Sequence, residues 1–206
     1  MKPENLFPLF LNLSGRPCLV VGAGAIAESK IAGLLEAGAK ISVVAPEATP
    51  QVRSWAQDNV IQWHQRLFEP EDLEEMFLVV AATSSTKVHE RIFELAMQRA
   101  VLCNIVDVPA LCDFYYPAVV QRGALQIAIS TAGQSPALAQ RLRKQLEDQF
   151  GTEYEQWLTQ LGEAREKLHS AGLDPEERKR LLHEQASEEA FETFRKNRLR
   201  SKKFST

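Results

Sequence analysis

The stretch that most constrains the fold is CLVVGAGAIAESK, residues 18–30, in which an apolar run breaks at two glycines and passes into helix-forming residues. The run at 17–22 is typical of a buried strand, and the apolar spacing over 25–38 predicts a helix. A strand, a glycine turn and a helix can form a tight connection that binds nothing, or a cradle for phosphate groups. The spacing of Gly22 and Gly24 helps to distinguish a connection without a ligand from a phosphate-binding turn.

The glycine turn has the pattern Gly22-x-Gly24-x-x-Ala27 at the start of a strand-helix-strand unit. Gly22 permits the turn, Gly24 lets the backbone approach a pyrophosphate, and Ala27 allows the helix to pack closely on the strand. The start of the helix would present free N–H groups and the positive end of the helix dipole to that pyrophosphate. The pattern therefore favours a dinucleotide site, formed by Gly22, Gly24, Ala25 and Ile26.

Strands and helices alternate through the first half of the chain. The predicted strands lie at 17–22, 40–46, 60–64, 77–83 and 101–107, and the predicted helices at 25–38, 49–58 and 87–100. Continuous apolar strands separated by helices are typical of a parallel sheet covered on both faces. The sequence therefore predicts an α/β fold, with a Rossmann-like domain at residues 1–113.

The pattern changes after the fifth strand. Two strands joined near Gly123 read as an antiparallel pair, and Ser135-Pro136 marks the start of a helix, with serine as the cap and proline at the first helical position. The chain beyond Gly151 is almost wholly helical. We therefore expect a small α+β segment at 114–150 and a helical region at 151–206.

The residues after the second and fourth strands bear on the cofactor. The second strand ends VVAPE, so that Glu47 is the first acid and comes three residues after Val44, where the acid that binds the ribose hydroxyls usually stands. We expect Pro46 and Glu47 to flank the adenosine end of the cofactor, and Ala82 and Thr83 to lie against it. The choice between NAD and NADP stays open on these residues alone.

Composition narrows the class of protein. The chain has 206 residues, of which 45% are hydrophobic and 25% are charged, with a net charge of -3. These values are typical of a globular protein, and they do not suggest nucleic acid or an anionic membrane as a partner. The N-terminal apolar patch is interrupted by proline and polar residues, so we expect neither a signal peptide nor a membrane span.

The cysteines and histidines show no metal-ligand spacing. The cysteines, at positions 18, 103 and 112, form an odd set without a CxxC pair, which favours reduced thiols and a cytoplasmic location. The histidines stand at positions 64, 89, 169 and 183 and do not suggest a zinc site. We expect no metal site, and we expect His89 to lie on an exposed helix face.

Four segments together carry a resemblance to a known family. They are PLFLNLSGRPCLVVGAGAIAESKIAGLLEAGAKISVVAP (8–46), FLVVAATSS (77–85), CNIVDVPALCDFYYPA (103–118) and IAISTAGQSPALAQRLRKQLE (127–147). In order and with few gaps, they resemble the precorrin-2 dehydrogenase family, which includes the N-terminal half of siroheme synthase and short stand-alone enzymes. The length of this chain resembles the stand-alone form.

The resemblance implies oxidation of precorrin-2 to sirohydrochlorin, with hydride passing to NAD, and in some members insertion of ferrous iron. Loss of a hydride must be matched by loss of a proton, so a base is expected. The family's catalytic candidate is the aspartate of NIVD, which is Asp107 here. The alternative is that Asp107 only caps the turn before Val108-Pro109; with the resemblance, the catalytic role is favoured.

The substrate is a tetrapyrrole bearing many carboxylates, which need cations or free N–H groups. Thr131 matches a family position near the tetrapyrrole, although a strand-end hydroxyl can also satisfy local backbone. The helix that begins at Ser135 offers its N-terminus and two arginines, Arg141 and Arg143, as further candidates. The alternative is a solvated basic helix face.

The segment 114–150 is too short to bury both faces of its strand pair and helix alone. The resemblance implies that this segment forms a dimer interface, so we expect a homodimer. We expect dehydrogenation to be the principal activity and iron insertion to be secondary or absent. Two other functions remain open. A non-enzymatic dinucleotide sensor would bind nucleotide without turnover, and a scaffold protein with a vestigial glycine turn would bind none.

Overall fold

The computed structural model describes residues 6–203, and from residue 199 onward the backbone only. The outer ends of the predicted domains 1–113 and 151–206 lie outside the described residues. The chain divides into two compact units, Met1–Tyr116 and Pro117–Thr206. Within residues 6–203, no helix combines the length and the apolar composition that a membrane span requires.

The first unit is a five-stranded parallel sheet with the strand order β3-β2-β1-β4-β5, and it confirms the predicted α/β, Rossmann-like fold. From β1 the chain adds β2 and β3 on one side, and it then crosses to add β4 and β5 on the other side. The direction of strand addition therefore reverses between β1 and β4. The elements are β1 Pro17–Val21, α1 Ala25–Glu36, β2 Lys40–Val44, α2 Pro50–Gln57, β3 Gln62–His64, β4 Leu78–Ala81, α3 Thr86–Arg99 and β5 Leu102–Ile105.

Helices cover both faces of this sheet, which explains why its central strands are apolar throughout. Alternate residues of β1 belong to different hydrophobic clusters. Cys18 and Val20 pack with α1 and α2 on one face, whereas Leu19 and Val21 pack with α3 on the other. Burial raises the pKa of the Cys18 thiol to about 11, so this thiol stays protonated inside the sheet.

The strand register brings the carboxyl ends of the central strands to one level. Val21 at the end of β1 lies opposite Val44 of β2 and Ala81 of β4, and Ala81 in turn lies opposite Ile105 of β5. The residues that follow these strands therefore line a single edge of the sheet. Ligands of open α/β sheets bind outside this edge, at the point where the strand order reverses.

The second unit begins with the predicted antiparallel hairpin, which is followed by four helices. Its elements are β6 Ala118–Arg122, β7 Leu125–Ile129, α4 Pro136–Gln149, α5 Glu153–Ser170, α6 Pro175–Gln185 and α7 Glu188–Lys203. Ser135 caps α4 as predicted, because its hydroxyl oxygen accepts a hydrogen bond from the Leu138 N–H at 3.2 Å. Tyr154 of α5 contacts the ring of Phe191 of α7 at 4.4 Å between centroids, which joins the two helices.

Candidate functional site

The glycine turn holds β1 and β4 close together at the edge of the sheet. Gly22 has φ +105°, and a Cβ at this position would lie 2.5 Å from the Ala82 carbonyl oxygen. A side chain would therefore be excluded both by the backbone conformation and by the neighbouring strand. The tight turn at Gly22 that the sequence predicts is therefore required by the close approach of the Ala82 backbone.

The start of α1 offers the donors and the space that a pyrophosphate needs. Gly24 is the N-cap residue with extended backbone, and no side chain caps the helix. The first bond of the helix runs from the Glu28 N–H to the Gly24 carbonyl at 2.9 Å, so the N–H groups of Ala25, Ile26 and Ala27 precede the helical ladder. A Cβ at Gly24 would meet no atom within 4 Å. This open, uncapped helix end fits a dinucleotide.

A polar network ties the loop after β2 to the glycine turn. The Thr49 N–H donates to the Ala23 carbonyl at 3.0 Å, and the Thr49 hydroxyl donates to Glu28 Oε2 at 2.6 Å. Pro46 and Glu47 lie in this loop and are exposed. The geometry therefore holds both predicted residues beside the turn, with the Glu47 carboxylate open to solvent.

The end of β4 carries an unpredicted polar pair. Thr83 Oγ1 lies 3.1 Å from His89 Nε2. The side chain of His89 is buried, with 7% exposure, so the expectation of an exposed face was wrong. The reason is helical periodicity: His89 shares the inner face of α3 with Ile92 and Ala96, three and seven residues further on. That spacing was a readable signal.

Asp107 lies in the turn that follows β5. Its φ is +62°, a conformation that aspartate tolerates better than most residues, and it is exposed. A backbone bond closes the turn, from the Val108 N–H to the Ile105 carbonyl at 3.1 Å. Among the described residues, the Asp107 carboxylate has no hydrogen-bond partner. Its position leaves the carboxylate open at the edge that bears the glycine turn.

The residues around Asp107 anchor the segment after β5. Asn104 is buried, and its Nδ2 donates to the Phe114 carbonyl at 2.7 Å. Asp113 accepts the Cys103 N–H through Oδ2 at 2.8 Å. These bonds fold the segment back along β5, so the NIVD motif includes a structural asparagine as well as the exposed aspartate.

Lys30 is a candidate site residue that the sequence did not suggest. It lies on α1, and its Nζ sits 3.7 Å above the ring centroid of Tyr116. Helical side chains lean toward the N-terminus, so the ammonium reaches back toward the sheet edge. Burial lowers the pKa of Lys30, and the negative charge of Asp107 acts in the opposite direction. The two charges are therefore close enough to interact.

The predicted substrate residues lie in the second unit. The Thr131 hydroxyl oxygen accepts the Ser135 N–H at 3.2 Å, which is the local backbone role considered above, and its proton remains available as a donor. Arg143 pairs with Glu147 and donates to Gln140 Oε1 at 3.0 Å. Arg141 is exposed.

The described part of the chain was predicted to hold no metal site. Within residues 6–203, no three histidine, cysteine, aspartate or glutamate side chains are grouped so that they could hold a metal ion.

Two family models match the chain. One, described as "Putative NAD(P)-binding", matches residues 9–118, and the other, described as "Sirohaem biosynthesis protein central", matches residues 122–149. The first therefore covers the whole sheet with its glycine turn and Asp107. The second covers β7 and α4.

Curated relatives and a solved structure are similar to the chain. The siroheme synthase of Nitrosococcus oceani is 41% identical over 140 residues, which cover 68% of this chain and 30% of that protein. Siroheme synthase 1 of Aeromonas hydrophila is 37% identical over 164 residues, covering 80% and 35%. The chain thus spans about a third of the length of these relatives. The solved structure of SirC, precorrin-2 dehydrogenase, is 31% identical, with a TM-score of 0.78 and coverage of 89% of this chain and 90% of that chain.

Proposed function

Because the chain belongs to the precorrin-2 dehydrogenase family, we propose that it oxidises precorrin-2 to sirohydrochlorin and passes the hydride to NAD. The observation that carries this proposal is the shared sheet edge. The uncapped start of α1 with its open Gly24 follows β1, and the exposed carboxylate of Asp107 follows β5 at the same edge. The strands that precede the proposed cofactor cradle and the proposed base therefore end at the same edge of the sheet.

The residues of the chain have distinct tasks in this reaction. When bound, NAD supplies a two-electron acceptor. The N–H groups at the start of α1 hold the pyrophosphate, and Gly22 keeps this turn against β4. The Asp107 carboxylate accepts the proton that the substrate loses. The exposed carboxylate of Glu47 would repel a phosphate on the adenosine ribose, which favours NAD over NADP.

Binding of the substrate requires hydrogen-bond donors for its carboxylates, in addition to the base that accepts its proton. We propose Thr131, Ser135, Arg141 and Arg143 for this task. The Thr131 hydroxyl proton supports the proposal, as do the exposed guanidinium of Arg141 and the N-terminus of α4. Arg143 would have to exchange its pairing with Glu147 for a substrate carboxylate.

Anaerobic turnover and NAD binding together test the proposal against its rivals. The protein is mixed with precorrin-2 and NAD, sirohydrochlorin is followed by absorbance, and NAD affinity is measured by calorimetry. We expect both binding and turnover. NAD binding without turnover would favour a regulatory sensor, and absence of binding would favour a scaffold protein.

A Lys30→Met variant should lower the rate of dehydrogenation about tenfold while leaving NAD affinity unchanged. The variant removes the positive charge that lies over the Tyr116 ring, that acts on Asp107 and that would attract a carboxylate of the substrate. A lost charge-assisted contact of about 1.5 kcal/mol corresponds to about tenfold in rate. Steady-state kinetics at saturating NAD measures the effect. Lys30→Arg keeps the charge and the ring contact, so it should retain most of the rate. Equal losses in the two variants would contradict an electrostatic role.

We also propose a homodimer that uses the hairpin of the second unit. An isolated two-stranded hairpin is marginal in water, and its outer face carries Val119, which is 38% exposed and lies opposite Ala128. Light scattering at micromolar concentration should give the mass of a dimer. Val119→Asp should shift it toward monomer, whereas Val60→Asp, at an exposed valine of the first unit, should not. A monomeric unaltered chain would contradict the proposal.

Iron insertion is a separate prediction, and we expect it to be secondary or absent. Insertion requires two pyrrole protons to leave as the metal enters, so a carboxylate such as Asp107 could assist it. The test mixes the protein with sirohydrochlorin and ferrous iron without oxygen. We expect a rate close to that without protein. Siroheme formed well above that rate, and lost in Asp107→Asn, would show a genuine chelatase.

We further propose a cytoplasmic location, without nucleic-acid or membrane partners. The net charge of -3 supports this, as does the burial of Cys18 and Cys103 within separate strands of the sheet. Fractionation of cells that express the full protein would test the location.

A further inference from the structure

The pair formed by buried His89 and half-buried Thr83 has no role in the proton and hydride transfer described above. Thr83 is half-buried at the edge where β4 ends, and its Oγ1 lies 3.1 Å from His89 Nε2. The same oxygen accepts the Ser85 N–H at 3.3 Å. His89 sits on the inner face of α3, and its neighbours on that face, Ile92 and Ala96, are fully buried.

A count of the hydrogen bonds shows what this pair controls. A hydroxyl has one proton and two lone pairs, and the Ser85 N–H uses one of the lone pairs of Thr83. If His89 Nε2 accepts, it takes the Thr83 proton, and one lone pair remains for a ligand. If Nε2 donates, both lone pairs are filled, and the Thr83 proton is free for a ligand. Either way, His89 leaves Thr83 with a single defined hydrogen bond to offer.

We propose that His89 is a positioning residue that fixes the hydroxyl of Thr83 for one directed hydrogen bond to the bound dinucleotide. This inference rests on the proposed function, since it takes the sheet edge to be the NAD site. His89 need not touch the cofactor. It removes the rotational freedom of the Thr83 hydroxyl before binding, and such preorganisation strengthens affinity without a new contact.

The position of the pair supports a role beyond packing. The inner face of α3 needs only apolar side chains, and a buried imidazole loses its contacts with water unless it is hydrogen-bonded. The partner it has is a residue of the loop that faces the ligand edge, not a residue of the core. Thr83 also directly follows Ala82, whose carbonyl contacts the glycine turn at Gly22, so the pair adjoins the cradle itself.

The test is a double-mutant cycle measured as NAD affinity by calorimetry. Thr83→Val and His89→Leu approximately preserve the shape of each side chain, and each removes the hydrogen bond between residues 83 and 89. Thr83→Val should weaken NAD binding about tenfold, the usual effect of one lost hydrogen bond. His89→Leu keeps the hydroxyl but lets it rotate among about three staggered positions, so it should weaken NAD binding by about threefold. The double variant should bind NAD no more weakly than Thr83→Val alone, because both changes act through the same hydroxyl.

His89→Gln, which places a polar atom near the position of Nε2, should recover most of the affinity. With NAD saturating, the turnover number of His89→Leu should be unchanged and its KM for NAD raised.

An Ile92→Val variant is the matched control. It lies on the same buried face, so it should lower the melting temperature by a few degrees and leave NAD affinity unchanged. The inference is overturned if the two losses multiply in the double variant, if either single change leaves the affinity unaltered, or if His89→Gln binds as poorly as His89→Leu. Any of these results leaves the proposed function standing, provided that the unaltered protein binds and reduces NAD. An unaltered protein that fails to bind NAD would overturn both.

Discussion

A Gly24→Asp variant should fold normally and lose measurable NAD binding. A Cβ at Gly24 meets no atom within 4 Å, and the backbone there, with φ -80°, suits any residue. The new carboxylate would occupy the space in front of the α1 N-terminus and repel the pyrophosphate. Juxtaposed like charges cost several kcal/mol, so the affinity should fall by about a hundredfold or more. Calorimetric titration with NAD measures the loss, and circular dichroism confirms the fold.

Gly33→Asp is the matched control for Gly24→Asp. Gly33 also lies on α1, is exposed and has open space around its Cα, so the control adds the same charge to the same helix away from the turn. It should bind NAD as the unaltered protein does. Full affinity in folded Gly24→Asp would contradict the cradle, and an equal loss in both variants would show a long-range effect of charge.

Asp107→Asn should reduce dehydrogenation by about a hundredfold or more, with little change in NAD affinity. The amide keeps the shape of the side chain and lacks the basicity that general-base catalysis requires. Asparagine also tolerates the left-handed backbone at this position, where φ is +62°. Single-turnover rates with NAD saturating separate the chemical step from binding.

A second substitution separates the carboxylate of Asp107 from its backbone. Asp107→Gly adopts the positive φ without strain and removes the side chain, so it should lose as much activity as Asp107→Asn. A rate close to that of the unaltered enzyme in either variant would mean that another group is the base. A loss in the glycine variant alone would assign the effect to the shape of the turn.

The sheet and the cradle were predictable because they depend on local rules. Continuous apolar strands indicate a parallel sheet, and the carboxyl ends of such strands share one edge, so Gly22, Ala82 and Asp107 could be assigned to that edge before the register was known. The pairing of Arg143 with Glu147 was also readable, as an i,i+4 pair on one helix.

The remaining features depend on tertiary contacts. The contact of Lys30 with Tyr116 joins residues far apart in the sequence, and no spacing rule predicts it. His89 was assigned to the wrong face because it was judged by its polarity, although its spacing from Ile92 and Ala96 indicated burial. The bonds that fold the Asp113 segment along β5 likewise form only once the sheet exists.

The central claim is that hydride transfer to NAD and proton loss to Asp107 occur together at one sheet edge. The most direct measurement follows sirohydrochlorin and NADH simultaneously, without oxygen, after precorrin-2 is mixed with the protein and excess NAD. The account predicts that the two products appear in equal amounts and at the same rate, and that Gly24→Asp and Asp107→Asn suppress both. Sirohydrochlorin formed without NADH, or formed at an unchanged rate by either variant, would contradict it.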